Sequence, residues 1–293
     1  MMLDAAFFDR LSQFRLVMGH RTSMNLTGNR KSIQKGSSME FSDFREYMPG
    51  DDIRRIDWNA YGRLDRLYVK EYMEEKEAVV SILVDTSASM DYGAKKKSEL
   101  ACMLAAAFSY MGLNNMDRVI LYDMGRMQQP FVAGGGKRAL PKLADWLKQR
   151  SFEGTVDIEK ALEALPLKGP GVTILISDFL QEVFVDKEQE FLEKLLRFLD
   201  YRKQKVVFLH VLAGEELSIE LTGTRNLIDM EDQSTLRLTL DSGSIRAYEK
   251  TLQEFLERMR QECGKAGAFY EICSTKTDIY QLIFQDLRML YDI

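Results

Sequence analysis

A doubly wound α/β domain with a mostly parallel sheet, accompanied by a small β subdomain, is the fold class that the sequence predicts. Short β-branched runs such as Ala78–Val84 and Gly171–Ser177 are each followed at once by an aspartate, as is typical of buried parallel strands. Segments with helical spacing alternate with these runs, the order expected when helices cover both faces of a parallel sheet.

The elements follow in order along the chain. Leu3, Phe7, Leu11 and Phe14 recur at helical spacing and predict an amphipathic helix up to about Arg15. Leu67 to Glu75 alternates in character and predicts a strand. The strands predicted for the main sheet are Ala78–Val84, Asp117–Met124, Met127–Val132 as an antiparallel edge, Gly171–Ser177, Lys205–Leu212 and Ala268–Cys273. The helices predicted around it are Lys95–Leu113, Arg138–Gln149, Asp157–Leu165, Lys187–Arg202, Arg246–Gly264 and Asp278–Leu290.

The strand–helix alternation pauses between Ala213 and Ser244. Period-two leucines and isoleucine there predict half-exposed strands; they are Leu217, Ile219 and Leu221, then Leu236, Leu238 and Leu240. We therefore predict two parts. Residues 1–76 hold the N-terminal helix, a basic loop and a β segment, and residues 77–293 form the α/β domain with a β insertion at about 213–244. The Glu40–Glu75 region and the insertion are expected to build the small β subdomain.

Composition excludes several classes of protein. The 293 residues carry 40 basic and 45 acidic side chains, a net charge of −5, which makes nucleic acid an unlikely partner. Two histidines and three cysteines without a CxxC pair argue against a zinc site or a disulfide framework. Asp4, Asp9 and Arg10 interrupt the N-terminal apolar stretch, and no apolar run approaches the ~20 residues that cross a bilayer. We expect a cytoplasmic protein without a membrane span.

Five oxygen-bearing residues lie where the predicted strands end. Asp85, Ser87 and Ser89 follow one buried strand, Asp178 follows another, and Thr155 lies in a Gly-Thr loop before a helix. Ligands of open parallel sheets bind at the carboxyl ends of strands. Carboxylates and hydroxyls are hard ligands that suit Mg²⁺, or Mn²⁺, so we predict one divalent-cation site there. The Gly134–Lys137 loop and the Lys95–Lys97 rim are expected beside it.

Three simpler or competing interpretations stay open. Ser87 and Asp178 could merely cap the segments that follow them. Asp85 could serve as the nucleophile of a Mg²⁺-dependent phosphatase. The segment from Arg10 to Lys35 holds six basic residues and no acidic one, so it could bind anions or nucleic acid.

The DxSxS run, the Gly-Thr threonine and the strand-terminal aspartate resemble the metal-ion-dependent adhesion site of von Willebrand factor type A domains. Asp85, Ser87, Ser89, Thr155 and Asp178 match its five positions. The segment GSSMEFSDFREYMPGDDIRRIDW, the DTSASM run and the later Asn226–Glu231 landmark resemble the bacterial family called domain of unknown function fifty-eight. The resemblance implies metal-dependent protein binding without catalysis, in which a partner's Asp or Glu meets the ion. It also implies work with a MoxR-type AAA+ ATPase in chaperone-like remodelling or cofactor insertion.

Overall fold

The computed structural model describes residues 5–16, 39–74, 78–134, 136–167, 169–181, 184, 188–231 and 233–292. The chain divides into two compact units, one formed by Ser23–Glu77 and the other by Met1–Thr22 with Ala78–Ile293. The predicted anion-binding segment lies largely outside the described residues, since positions 17–38 are not among them.

The strands of the described residues are, in chain order, β1 (Arg15–Leu16), β2 (Met39–Glu46), β3 (Tyr68–Glu74), β4 (Val79–Val84), β5 (Arg118–Asp123), β6 (Phe131–Ala133), β7 (Gly171–Ser177), β8 (Gln204–Leu212), β9 (Gly223–Ile228), β10 (Thr235–Leu240), β11 (Phe269–Ser274) and β12 (Tyr291–Asp292). The helices are α1 (Ala5–Leu11), α2 (Trp58–Leu64), α3 (Lys97–Asn114), α4 (Leu140–Lys148), α5 (Ile158–Glu163), α6 (Glu188–Tyr201), α7 (Gly214–Leu217), α8 (Ser242–Lys265) and α9 (Ile279–Gln281).

Six strands form the central sheet of the larger unit in the order β11-β8-β7-β4-β5-β6. All neighbours run parallel except β6, which pairs antiparallel with β5 at one edge. Strand β4 lies between β5 and β7, with Val84 opposite both Asp123 and Ile176. The carboxyl ends of these three strands therefore meet at one edge of the sheet. This arrangement confirms the predicted fold class, a doubly wound and mostly parallel sheet with helices on both faces.

Helices cover both faces of the sheet because successive side chains of a strand point to opposite sides. Val80, Ile82 and Val84 belong to one core cluster, which also contains Leu104 and Phe108 of α3. Leu83 belongs to the other cluster, with side chains from α5, α6 and α8. Helix α3 is buried nearly all round, and its position under β4 is what brings its first turn to the carboxyl edge of the sheet.

The N-terminal segment packs within the larger unit. Phe7 and Leu11 of α1 are fully buried in the same cluster as α3, and β1 pairs with β12. In the smaller unit, β2 and β3 form an antiparallel hairpin, and β3 confirms the strand predicted to end near Glu75.

Three sequence predictions about structure are wrong. No strand forms over Leu217–Leu221; the chain makes the helical turn α7, because Glu216 accepts a hydrogen bond from the Ala213 backbone N–H at 2.7 Å. The predicted helix Asp278–Leu290 is interrupted, since α9 continues as a π-helical turn over Leu282–Asp286 and then a 3-10 turn. The two β segments expected to form one subdomain are separate two-stranded sheets, β2-β3 and β10-β9.

In the part of the chain that the structure describes, no helix has both the length and the apolar character needed to cross a membrane.

Helix α3 approaches the sheet most closely at Gly112, where an added Cβ would lie 2.9 Å from the Val119 Cγ2 methyl. At Gly264 in α8, by contrast, an added Cβ would have no neighbouring atom within 4 Å. We expect Gly264→Ala to raise the free energy of unfolding by up to about 1 kcal/mol through helix propensity. Gly112→Ala should instead lower it, because crowding of a packed core costs about 1–3 kcal/mol. Urea denaturation of both variants measures the difference; an equal gain in both would show that α3 has room at this crossing.

Candidate metal site

The site lies at the carboxyl edge of the sheet, where β4 ends in the loop Asp85–Ser89. The backbone N–H of Asp85 still donates to the Ile176 carbonyl of β7 at 2.9 Å, so the strand pairing fixes the first residue of the loop. A 3-10 turn over Ala88–Asp91 follows, and α3 begins at Lys97.

Asp85 is fully buried, and both of its carboxylate oxygens are held. One accepts the Ser87 backbone N–H at 2.9 Å and the other accepts the Ser177 hydroxyl at 2.5 Å. Burial and then the charge of Asp178 raise the pKa of Asp85, although these hydrogen bonds act against the rise. Ser177 is a residue that sequence reasoning missed; it is buried and also accepts the Phe179 N–H at 3.0 Å.

The predicted hydroxyl ligands are divided between two loops. The hydroxyl oxygens of Ser87 and Ser89 lie 3.0 Å apart beside Asp85. The loop that holds Thr155 is tied to this segment by backbone hydrogen bonds, from Ala88 to the Gly154 carbonyl at 2.9 Å and from Glu153 to the Thr86 carbonyl at 3.0 Å. The Thr155 side chain is exposed and makes no hydrogen bond with the rest of the described residues.

Asp178, at the end of β7, pairs with a buried lysine. Lys97 Nζ lies 2.8 Å from Asp178 Oδ2 and 2.6 Å from Glu216 Oε1, and the Lys97 side chain is 1% exposed. Burial lowers the pKa of Lys97, but the charges of Asp178 and Glu216 outweigh burial and hold the pKa above its ordinary value.

The prediction that Lys97 is a rim charge is therefore wrong. The sequence contained one signal for its burial. Ala101 and Leu104 follow Lys97 at intervals of four and seven residues and share its face of α3, and both are buried.

The Gly134–Lys137 loop does not lie beside the site. Ala133, which precedes this loop, pairs with Val119 at the amino end of β5. Asp123, next to the site, is at the other end of that strand. The antiparallel direction of β6 thus carries the loop to the opposite edge of the sheet, where the Lys137 ammonium lies 5.0 Å from the Tyr110 ring centre.

A second buried cluster, next to β5, fixes the loop that follows β4. Asp123, the acid that ends β5, accepts the Thr86 hydroxyl at 2.6 Å and pairs with Arg150 at 3.0 Å. The Arg150 guanidinium stacks 4.3 Å from the Trp146 ring centre. Asp123 is thus neutralised within the protein, as Asp178 is by Lys97. Among the described residues, no lysine, arginine or histidine forms an ion pair with Asp85.

Glu231, from the turn between β9 and β10, is close enough to the site to interact with its charges. Burial, followed by the charges of Asp85 and Asp178, raises its pKa. In the sequence Glu231 was only one of several residues in a family landmark, and nothing in its spacing pointed to the predicted ligands.

The donor set fits a hard divalent cation. Asp85 interacts electrostatically with Asp178, and the Ser87 and Ser89 hydroxyls lie alongside. Carboxylate and hydroxyl oxygens are the donors that Mg²⁺ and Mn²⁺ prefer. The described residues contain no group of three or more His, Cys, Asp or Glu side chains arranged as metal ligands, so any ion here depends on the hydroxyls.

His210 is a core residue rather than a reactive base. Its Nδ1 lies 2.7 Å from the Tyr270 hydroxyl, and burial lowers its pKa to about 4. The buried imidazole is therefore neutral at pH 7, in agreement with the structural role expected from its apolar strand.

Two adjacent lysines allow a matched test of the buried ion pair. Lys97→Met leaves Asp178 and Glu216 without their cation, and we expect the free energy of unfolding to fall by about 3–5 kcal/mol. Lys96 pairs with Asp91 at 2.7 Å, but both side chains are substantially exposed, so Lys96→Met should cost less than about 1 kcal/mol. Chemical denaturation in chelator measures both. Equal losses would mean that Lys97 contributes no more than an exposed charge.

Comparison with known proteins gives the chain a family. The profile of the family described as "Protein of unknown function DUF58" matches residues 43–257. The uncharacterized proteins Mb1516 of Mycobacterium bovis and Rv1480 of Mycobacterium tuberculosis are each 29% identical over 163 residues, 53% of this chain and 51% of the relative. The chain thus spans about half the length of the curated relatives it matches.

Two solved structures show weaker likeness. BatB from Bacteroides thetaiotaomicron is 16% identical with a TM-score of 0.43, over 73% of this chain and 98% of that one. The manganese-loaded TRAP protein of Plasmodium vivax is 15% identical with a TM-score of 0.28, over 45% of this chain and 56% of that one. The profile match covers well over half of the chain, and on that basis the protein belongs to the DUF58 family.

Proposed function

We propose that the protein is a metal-dependent protein-binding module that uses Mg²⁺ or Mn²⁺ at the carboxyl edge of its sheet. The observation that carries this proposal is Asp85: a fully buried carboxylate with no cationic partner among the described residues, beside two hydroxyls and the acid Asp178. A buried charge without a counter-ion is costly, and a divalent ion supplies the missing charge.

Asp85, Ser87 and Ser89 are the residues that would hold the ion, with Thr155 and Asp178 completing the set. Asp178 already shares its charge with Lys97, and the hydroxyls are neutral, so the set neutralises only part of the ion's charge. A bound ion of this kind is a Lewis acid with a strong preference for carboxylate oxygen. An Asp or Glu from a protein partner matches that preference.

Binding rather than catalysis is the role that the surroundings of Asp85 support. A nucleophilic aspartate attacks a substrate that reaches its carboxylate from solvent, whereas Asp85 is fully buried. His210, as a neutral core residue, offers no general base to the site.

The partner that we propose is a MoxR-type AAA+ ATPase, with which the protein would act in chaperone-like remodelling or cofactor insertion in the cytoplasm. The support for this partner is the resemblance to the DUF58 family, carried by the GSSMEFSDFREYMPGDDIRRIDW segment, the DTSASM run and the Asn226–Glu231 landmark. An acidic side chain of such a partner would match the preference of the proposed ion for carboxylate oxygen.

Metal binding is tested by titrating the protein with Mg²⁺ and Mn²⁺ in a calorimeter. We expect one site in the wild type and none in Asp85→Asn, because the amide lacks the charge that the ion requires. Asp91→Asn changes a partly exposed acid six residues further along; it is the control and should bind normally. In chelator, the circular dichroism spectrum of Asp85→Asn should match that of the wild type, which separates loss of the ion from loss of the fold. Undiminished metal binding in Asp85→Asn would refute the proposed site.

Partner binding is tested with a purified MoxR-type ATPase from the same genome, with Mg²⁺ or with chelator. Ser87→Ala and Thr155→Ala remove hydroxyl ligands, and a lost charge-assisted contact commonly costs about 2–5 kcal/mol, roughly 30- to several-thousand-fold in affinity. Lys96→Met, on the exposed rim, should change mainly the association rate and its salt dependence. Equal binding by all variants, with and without chelator, would show that the partner uses another surface.

A further inference from the structure

The hairpin formed by β9 and β10 has an apolar face that the described residues leave largely uncovered. Leu227 lies opposite Leu236, and Arg225 lies opposite Leu238 two positions further on, so these four side chains share one face. Leu240, at the base of the same face, is buried. Leu238, Leu227 and Leu236 are 37%, 41% and 61% exposed. We call this surface the leucine face; its outer part is apolar and open to solvent.

The charge of the hairpin indicates what would cover this face. Arg225 is exposed on the leucine face, and Arg237 is exposed on the opposite face, across from Asn226. Neither arginine forms an ion pair within the described residues, and neither strand contains an aspartate or glutamate. A segment that brings apolar side chains and a carboxylate therefore complements the leucine face. A second copy of this chain does not, because its β9 would bring another arginine and no acid.

Strand β9 also has an edge to which a further strand could pair. The hairpin is a two-stranded sheet in the described part of the chain, so each strand has one unpaired edge. Asp229 donates its backbone N–H to the Ser234 carbonyl at 2.8 Å. Because bonded and non-bonded pairs alternate along antiparallel strands, the backbone groups of Asn226 point away from β10. At the other edge, the Ser244 hydroxyl of α8 donates to the Thr239 carbonyl at 3.3 Å, so the edge of β9 is the more open one.

We propose that β9 binds an extended segment of a partner protein as a third strand, with apolar side chains on the leucine face and an Asp or Glu beside Arg225. A two-stranded hairpin is marginal in water, and a third strand over an apolar face adds the burial that it lacks. Backbone hydrogen bonds along the edge give such binding its affinity, and alternate side chains give it specificity. This inference goes beyond the proposed function, because it needs no ion.

Two short synthetic peptides test the charge requirement. In both, valine alternates with threonine, and one central valine is replaced by glutamate or by lysine. Fluorescence anisotropy in chelator should show that the wild type prefers the glutamate peptide by roughly fivefold to tenfold, since opposite charges on neighbouring strands attract and like charges repel. Arg225→Glu should reverse this preference. Arg237→Glu makes the same charge change on the opposite face, and it should leave the preference as it is in the wild type.

Asn226→Pro tests the edge. It removes an N–H that points away from β10, a position at which an edge strand tolerates proline, so the hairpin should remain while both peptides lose binding. Reversal by Arg225→Glu guards against misfolding as the cause, because an unfolded hairpin cannot exchange one preference for another. The inference fails if the wild type binds neither peptide, binds both equally, or binds as well after Asn226→Pro. Sedimentation that shows a wild-type dimer abolished by Asn226→Pro would make a second copy the occupant and would also overturn it. Each of these results leaves the metal site unaffected.

Discussion

The burial of acidic side chains at the carboxyl edge of the sheet is the constraint on which the rest of this structure depends. Three adjacent parallel strands end in Asp85, Asp123 and Asp178, and each acid is at most 2% exposed. Charges removed from water require compensation by hydrogen bonds and by opposite charge. Asp123 and Asp178 each pair with a basic side chain. Asp85, on the central strand of the three, has no such partner among the described residues.

Flanking ion pairs give the central loop a rigid frame. Arg150 reaches Asp123 from the end of α4, and Lys97 reaches Asp178 from the first turn of α3. Thr86 joins the loop to the first pair through Asp123, and Ser177 joins Asp85 to β7. A carboxylate held in this way is preorganised, since it cannot turn away from a ligand to find solvent. A binding site gains affinity when its ligand groups are already fixed in place before the ligand arrives.

Local patterns determined how much could be predicted from the sequence. The strands and most helices could be predicted from periodicity, because the spacing of apolar residues within a short segment shows which sides of the element are buried. Ser177 and Lys97 were not recognised, since their partners Asp85 and Asp178 are 92 and 81 positions away. The strand predicted at Leu217 was wrong for the same reason: Glu216 is held by Lys97, 119 positions away, and by the backbone at Ala213.

The insertion that follows β8 is attached to this edge of the sheet by charge. The Lys97–Glu216 pair joins the start of the insertion to the first turn of α3. The same ammonium pairs with Asp178 after β7, so one buried cation is shared between two carboxylates of different elements. Because Lys97 is committed to these two acids, it does not compensate Asp85. Compensation of the central acid therefore falls to its hydrogen bonds from Ser87 and Ser177 and, under the proposed function, to a bound ion.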